Sequence, residues 1–157
     1  MQIKIDKIEE QVVIDFLKDH MYQLSLESPP ESNHYLGIDE LKREDVTFWT
    51  AWEDGELLGC GAIKEIEAGH GEVKSMRTSS KHLRKGVGKQ ILLRIIESAK
   101  LRGYHRISLE TGSLQAFIPA QKLYESCGFT YCAPFADYQE DPNCVFMTLL
   151  LEENSEK

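Results

Sequence analysis

The chain has 157 residues, 41% of them apolar, and a net charge of −8, enough for one domain that buries about two thirds of the surface its unfolded form exposes without disulfide or metal staples. Its four cysteines (Cys60, Cys127, Cys132, Cys144) have no CxxC spacing and its histidines are scattered, so no metal site is expected. No apolar run approaches the roughly 20 residues of a membrane span, and acids stand near the N-terminus where a signal peptide would have its apolar core; the expectation is reduced thiols in the cytoplasm and no membrane partner.

Residues 2–6 alternate as a first strand. Val12, Val13, Phe16, Leu17, Met21 and Leu24 recur at helical spacing and predict an amphipathic helix over 9–26, which Pro29-Pro30 stops. A polar stretch at 31–33 leads to His34, Tyr35 and Leu36, then to a short helix at 38–42. Residues 46–52 and 57–66 read as a hairpin across Asp54-Gly55. Alternation sends at least one of Phe48, Trp49 and Trp52 to the core. A turn at 69–71 introduces a third antiparallel strand at 72–77, on which Glu72 reads as solvent-facing. The acids Glu40, Glu44 and Asp45 read as a solvated helix face.

The stretch from Met76 to Lys89 then passes from strand through a basic loop to a glycine-punctuated helix start. Between Lys74 and Arg106 there are ten Lys or Arg against Glu97 alone, a local +9 inside an acidic chain. Backbone N–H groups, a positive helix end and this segregation of charge together make a phosphate seat. It is not a P-loop, because Leu83 holds the first glycine position and Gln90 that of the magnesium-binding hydroxyl; nor is it a dinucleotide fingerprint, whose third glycine is Ile91 here. Val87, Ile91, Leu92, Ile95, Ile96 and Ala99 form the buried face of the helix that follows, ending near Gly103. A strand at 106–111 is expected to run parallel to 72–77, since a whole helix connects them. A helix at 116–127 and strands at 129–132 and 144–151 complete a mixed α/β sheet flanked by helices.

Leu83-Arg84-Lys85-Gly86-Val87-Gly88 resembles the acyl-CoA pyrophosphate loop [Gln/Arg]-x-x-Gly-x-[Gly/Ala] of the GCN5-related N-acetyltransferase superfamily, with both glycines in register and Leu83 departing from the pattern. Leu123-Tyr124-Glu125-Ser126-Cys127-Gly128-Phe129 is similar to the second signature of that family, Leu-Tyr-x-x-x-Gly-Phe. Phe117 stands where the family often has asparagine. Smaller landmarks, among them Lys74-Ser75-Met76-Arg77-Thr78 and Leu109-Glu110-Thr111-Gly112-Ser113, resemble a bacterial subgroup of small-molecule acetyltransferases.

The resemblance implies a mostly antiparallel sheet of about seven strands with a central splayed parallel pair and about four helices, one domain over 1–151 with a frayed tail at 152–157. It implies acetyl-CoA as co-substrate, held by Met76, Arg77, Thr78, Arg84, Lys85, Gly86, Val87, Gly88 and Lys89, with no metal. The partner would be a small-molecule amine, attacking the thioester directly in a ternary complex. Nucleic acid is not expected as a partner, and a homodimer is left open. Tyr124 would stand near the CoA sulfur, where it either protonates the departing thiolate or stabilises its charge. A phenol of pKa ~10 giving its proton to a thiolate whose acid has pKa ~8.5 runs uphill by about 2 kcal/mol. Glu110, His34 and Glu72 are the candidate bases. Residues 32–45 and 133–143 should shape the acceptor pocket. An acyl-CoA-sensing or protein-interaction module on the same fold, without turnover, is the alternative.

Overall fold

The hydrophobic repeats resolve into eleven strands and α-helices in a computed structural model that describes residues 1–32 and 34–151. The tail expected at 152–157 lies outside the described residues. In chain order they are β1 (Gln2–Ile5), α1 (Gln11–Glu27), α2 (Ile38–Leu41), β2 (Val46–Glu53), β3 (Glu56–Glu67), β4 (His70–Thr78), α3 (Val87–Leu101), β5 (Arg106–Gly112), α4 (Ile118–Ser126), β6 (Thr130–Cys132) and β7 (Cys144–Leu150). The strands form one sheet in the order β1-β2-β3-β4-β5-β7-β6. Every pairing is antiparallel except β4 with β5, the pair joined through α3.

Alternation along β2 sends Phe48 and Trp49, both 2% exposed, to opposite faces. Trp49 joins the cluster under α3 and α4, with Ile91, Leu92, Ile95, Tyr124 and Phe129. Phe48 joins the cluster under α1 and α2, with Val13, Leu17, Leu41, Cys60 and Ala62. The α3 stripe is buried as its spacing predicts. In α1 Val13, Leu17 and His20 are buried, one position in each turn, and Phe16 packs half-buried against the same cluster; of the expected stripe only Val12 lies exposed, at 48%.

Two features of β4 open the sheet. Its parallel pairing with β5 covers only His70↔Arg106, Gly71↔Ile107 and Glu72↔Ser108, although both strands continue well beyond. Against β3 the register slips between Cys60↔Arg77 and Ala62↔Lys74, so Ser75 and Met76 together oppose Gly61. Ser75 takes a φ of 58° at this bulge. A Cβ at Gly61 would stand 2.6 Å from Met76 Sδ and 2.7 Å from Ile91 Cγ2, so only glycine lets α3 pack over the bulged strand. The extra residue bends β4 away from β5 and leaves a gap in the middle of the sheet.

Candidate active site

The gap is a cavity of about 210 Å³ whose walls include Met76 and Arg77 from β4, Glu110 from β5, Tyr124 from α4 and Phe117 at its N-cap, and His34. Three residues expected from sequence to do chemistry, Tyr124, Glu110 and His34, therefore meet in one place, although they come from separate parts of the chain. Thr78 lies beyond the cavity, beside the start of α3, where a Cβ on Gly88 would come 3.4 Å from its Oγ1.

Burial, reinforced by the charge of Glu110, pushes the Tyr124 phenol well above its ordinary pKa. A phenol held so firmly neutral is a hydrogen-bond donor to developing charge and a poor source of a free proton. Burial also raises the Glu110 carboxyl above its usual range, opposed by a hydrogen bond from Cys144 and the charges of His34 and Lys74. That moves Glu110 toward the neutral range in which a general base is most effective. His34 is exposed and packs edge-on against Tyr138, with ring centroids 5.1 Å apart.

The basic loop sits at the N-terminus of α3. Gly86 is its N-cap at φ 81°, Arg84 also has positive φ, and no acid lies in the first turn of the helix. The backbone N–H groups there have no intrahelical partner and suit an anion. Arg84, Lys85 and Lys89 are exposed around them. Val87 is 2% exposed, so only its backbone can face a ligand. His82 Nε2, 2.8 Å from Glu56 Oε2, ties the loop to the start of β3. Gly88 lets α3 approach α4, since a Cβ there would come 3.2 Å from Leu123 Cδ2. The two departures from the family pattern have separate outcomes. Leu83 is 56% exposed, whereas the ring of Phe117 lies where a Cβ on Gly112 would be and walls the cavity.

A second, open cavity of about 840 Å³ shares His34, Tyr35 and Lys74 with the first. Its walls come from both segments expected to shape the acceptor pocket, together with the ends of β3 and β4. Where the cavities meet, Lys74 Nζ donates to the His34 carbonyl at 2.7 Å, to Tyr138 Oη at 2.9 Å and to Glu72 Oε2 at 3.2 Å. Tyr138 Oη in turn donates to Glu72 Oε2 at 2.5 Å.

This corrects the reading of Glu72 as solvent-facing: it is 4% exposed, because β4 is central and its neighbours fold over that face. Alternation alone could not reveal a partner on residue 138, far away in the chain. Ser32 Oγ donates to Asp141 Oδ2 at 2.6 Å and ties the two walls together. Tyr22, 61% exposed, lines neither cavity, whereas Glu40 and Asp45 line the larger one. Sequence reasoning also passed over His20, whose place at seven residues from Val13 and three from Leu17 marks it as part of the buried stripe.

A family model described as the acetyltransferase (GNAT) family matches residues 13–129. The chain belongs to this family. It is 60% identical to the uncharacterized N-acetyltransferase YsnE of Bacillus subtilis strain 168, spanning 94% of this chain and 98% of that protein. Identity to the uncharacterized N-acetyltransferase YedL of Escherichia coli K12 is 44%, over 98% and 97% of the two chains. The solved structure of a Bacillus subtilis acetyltransferase in complex with CoA matches with a TM-score of 0.70 at 26% identity, over 96% of this chain and 99% of that one. The GNAT relatives are named N-acetyltransferases, and this chain is an acyltransferase. Among the described residues no helix is long and apolar enough to cross a membrane.

Proposed function

We propose that residues 1–151 form a single domain that moves an acetyl group from acetyl-CoA to the amine of a small molecule by direct attack in a ternary complex. The observation that carries this reading is the parting of β4 and β5 after three residue pairs, with Tyr124, Glu110 and His34 around the gap. The opened strands leave peptide groups that an amide-bearing pantetheine arm can satisfy as an added strand would. The pyrophosphate then falls at Gly86 to Gly88 and the N-terminus of α3.

In the reaction the acceptor nitrogen attacks the thioester carbon, a C–N bond forms and the C–S bond breaks. The amine proton goes to Glu110, with His34 beside the entrance from the acceptor cavity. Tyr124 donates a hydrogen bond to the departing sulfur, and its raised pKa favours that role over full proton transfer. Amides of the bulged β4 segment at Met76 and Arg77 would stabilise the oxyanion, each donor contributing about 2.7–4 kcal/mol in comparable acyl-transfer sites. Against a covalent relay, Cys127 has a neighbouring hydroxyl, Ser126 Oγ at 3.9 Å, and no base within hydrogen-bond reach among the described residues. The four unpaired thiols suit a reducing cytoplasm.

The test is calorimetric titration of acetyl-CoA, with CoA and ATP as comparators, into wild type and Gly86→Glu. The reading predicts binding of acetyl-CoA and CoA that the folded variant loses, and little binding of ATP. Absence of CoA binding in folded wild type would sink it. Acetyl-CoA binding with no CoA released in the presence of any amine would favour a sensing module.

A further inference from the structure

Two polar side chains in the gap have no evident part in holding the fold. His20 is 6% exposed, and its Nδ1 has no hydrogen-bond partner among the described residues. Burial, and then the charge of Arg77, pushes its pKa down to about 4, so the ring is neutral at physiological pH. Arg77 is half-buried and takes part in none of the ion pairs of the described residues. Both line the 210 Å³ cavity. An unpaired buried nitrogen is costly to a fold and calls for a partner.

The two faces of the sheet decide which ligand. Arg77 stands opposite Cys60 in the β3–β4 ladder, paired residues share a face, and Cys60 packs in the cluster beneath α1. His20 belongs to α1 itself. Tyr124 packs in the cluster on the opposite face, with Val87 at the start of α3, where the glycine loop lies. The acyl donor therefore approaches along the α3 face, and His20 with Arg77 faces the other reactant.

Building on the transferase reading, we infer that His20 and Arg77 form a carboxylate subsite, so that the acceptor is an amine that also carries a carboxylate, an amino acid or a close analogue. The guanidinium fork matches a carboxylate with two parallel hydrogen bonds, and a neutral imidazole protonated at Nδ1 adds a third. With the acid end fixed there, the amine is left to meet Glu110 across the same cavity. The wider acceptor cavity is lined by Glu31, Asp45, Asp137 and Glu140. This negative mouth favours a zwitterion over a simple acid lacking an ammonium group.

The test measures CoA release from acetyl-CoA at fixed concentration with the common amino acids, β-alanine and γ-aminobutyrate as acceptors, each beside its amide or decarboxylated amine. At least one acid should exceed its carboxylate-free partner by about 100-fold in kcat/KM. Arg77→Gln should raise the KM of that acid by about tenfold, and Arg77→Lys by less. His20→Leu should raise Tm, by removing an unpaired buried nitrogen, and still lower kcat/KM for the acid. A loss of activity with a loss of stability would mark His20 as structural and overturn its role. Equal or faster turnover of the amides and amines, or no turnover of any acid, overturns the subsite. Wild type that fails to bind acetyl-CoA overturns the transferase reading as well, whereas normal binding with turnover blind to the carboxylate overturns the subsite alone.

Discussion

The two sides of the gap between β4 and β5 are built differently. On the α3 side, the proposed recognition rests on backbone: Gly86 at φ 81°, Gly88 in a close approach to α4, and peptide groups freed by the bulge at Ser75 and Met76. On the α1 side it rests on side chains drawn from distant parts of the chain, with Lys74 joining Glu72, Tyr138 and the His34 carbonyl. A backbone site needs glycines at fixed spacing and so leaves a motif, while a side-chain site leaves only scattered residues. One side can therefore serve a common co-substrate, while the other can change with the acceptor.

The largest effect should come from breaking the side-chain half at its buried charge. Lys74→Met leaves Glu72 buried with Tyr138 alone, and removal of one partner of such a pair typically costs about 3–5 kcal/mol. Urea unfolding should show that loss, and Lys74→Met combined with Glu72→Gln should recover a substantial part of it. A single variant as stable as wild type would mean that the cluster does not hold the acceptor wall.

Tyr124→Phe sharpens the comparison from the donor side. Its kcat should fall by about 10²–10³-fold with little change in acetyl-CoA affinity, because in the proposed reaction the phenol is needed only as charge develops on sulfur. A lost affinity with normal kcat would assign Tyr124 to packing alone.

His20 gives the α1 side a pH signature. Its pKa is lowered from 6.5 to about 4 in the fold, so the neutral ring carries no proton-linked cost above pH 6.5. As pH falls toward 4 the unfolded chain takes up a proton that the folded chain refuses, and about 3 kcal/mol is lost. Unfolding free energies at pH 7 and pH 4.5 should differ more in wild type than in His20→Leu; equal pH dependence would contradict the buried neutral ring.

The smallest effect is expected at the junction of Gly112 and Phe117. A Cβ at Gly112 would stand 2.1 Å from Phe117 Cδ2, so Gly112→Ala should cost about 1–3 kcal/mol by overpacking. A variant with unchanged Tm would show that the Phe117 ring moves freely.

What was legible in the sequence follows from the same contrast. The strand order around the hairpins, the α3 stripe and the place of the glycine loop before α3 all come from local periodicity and glycine spacing, and each appears close to where it was expected. Glu72 was misread because its partners Lys74 and Tyr138 involve a pairing 66 residues apart, beyond what alternation along one strand reports. His20 was passed over because a histidine on an apolar stripe signals burial, and only the folded cavity reveals that its nitrogen is unpaired. The Glu110 pKa shift likewise depends on burial in a gap that exists only when β4 bends away.

The most direct test of this division is the acetyl-CoA dissociation constant measured by calorimetry for wild type, Gly86→Glu and His20→Leu. The account predicts a loss of about 100-fold or more in Gly86→Glu, where a carboxylate and a strained φ enter the phosphate seat, and wild-type affinity in His20→Leu. Unchanged binding in Gly86→Glu, or a comparable loss in His20→Leu, would contradict the assignment of donor and acceptor to opposite faces of the gap.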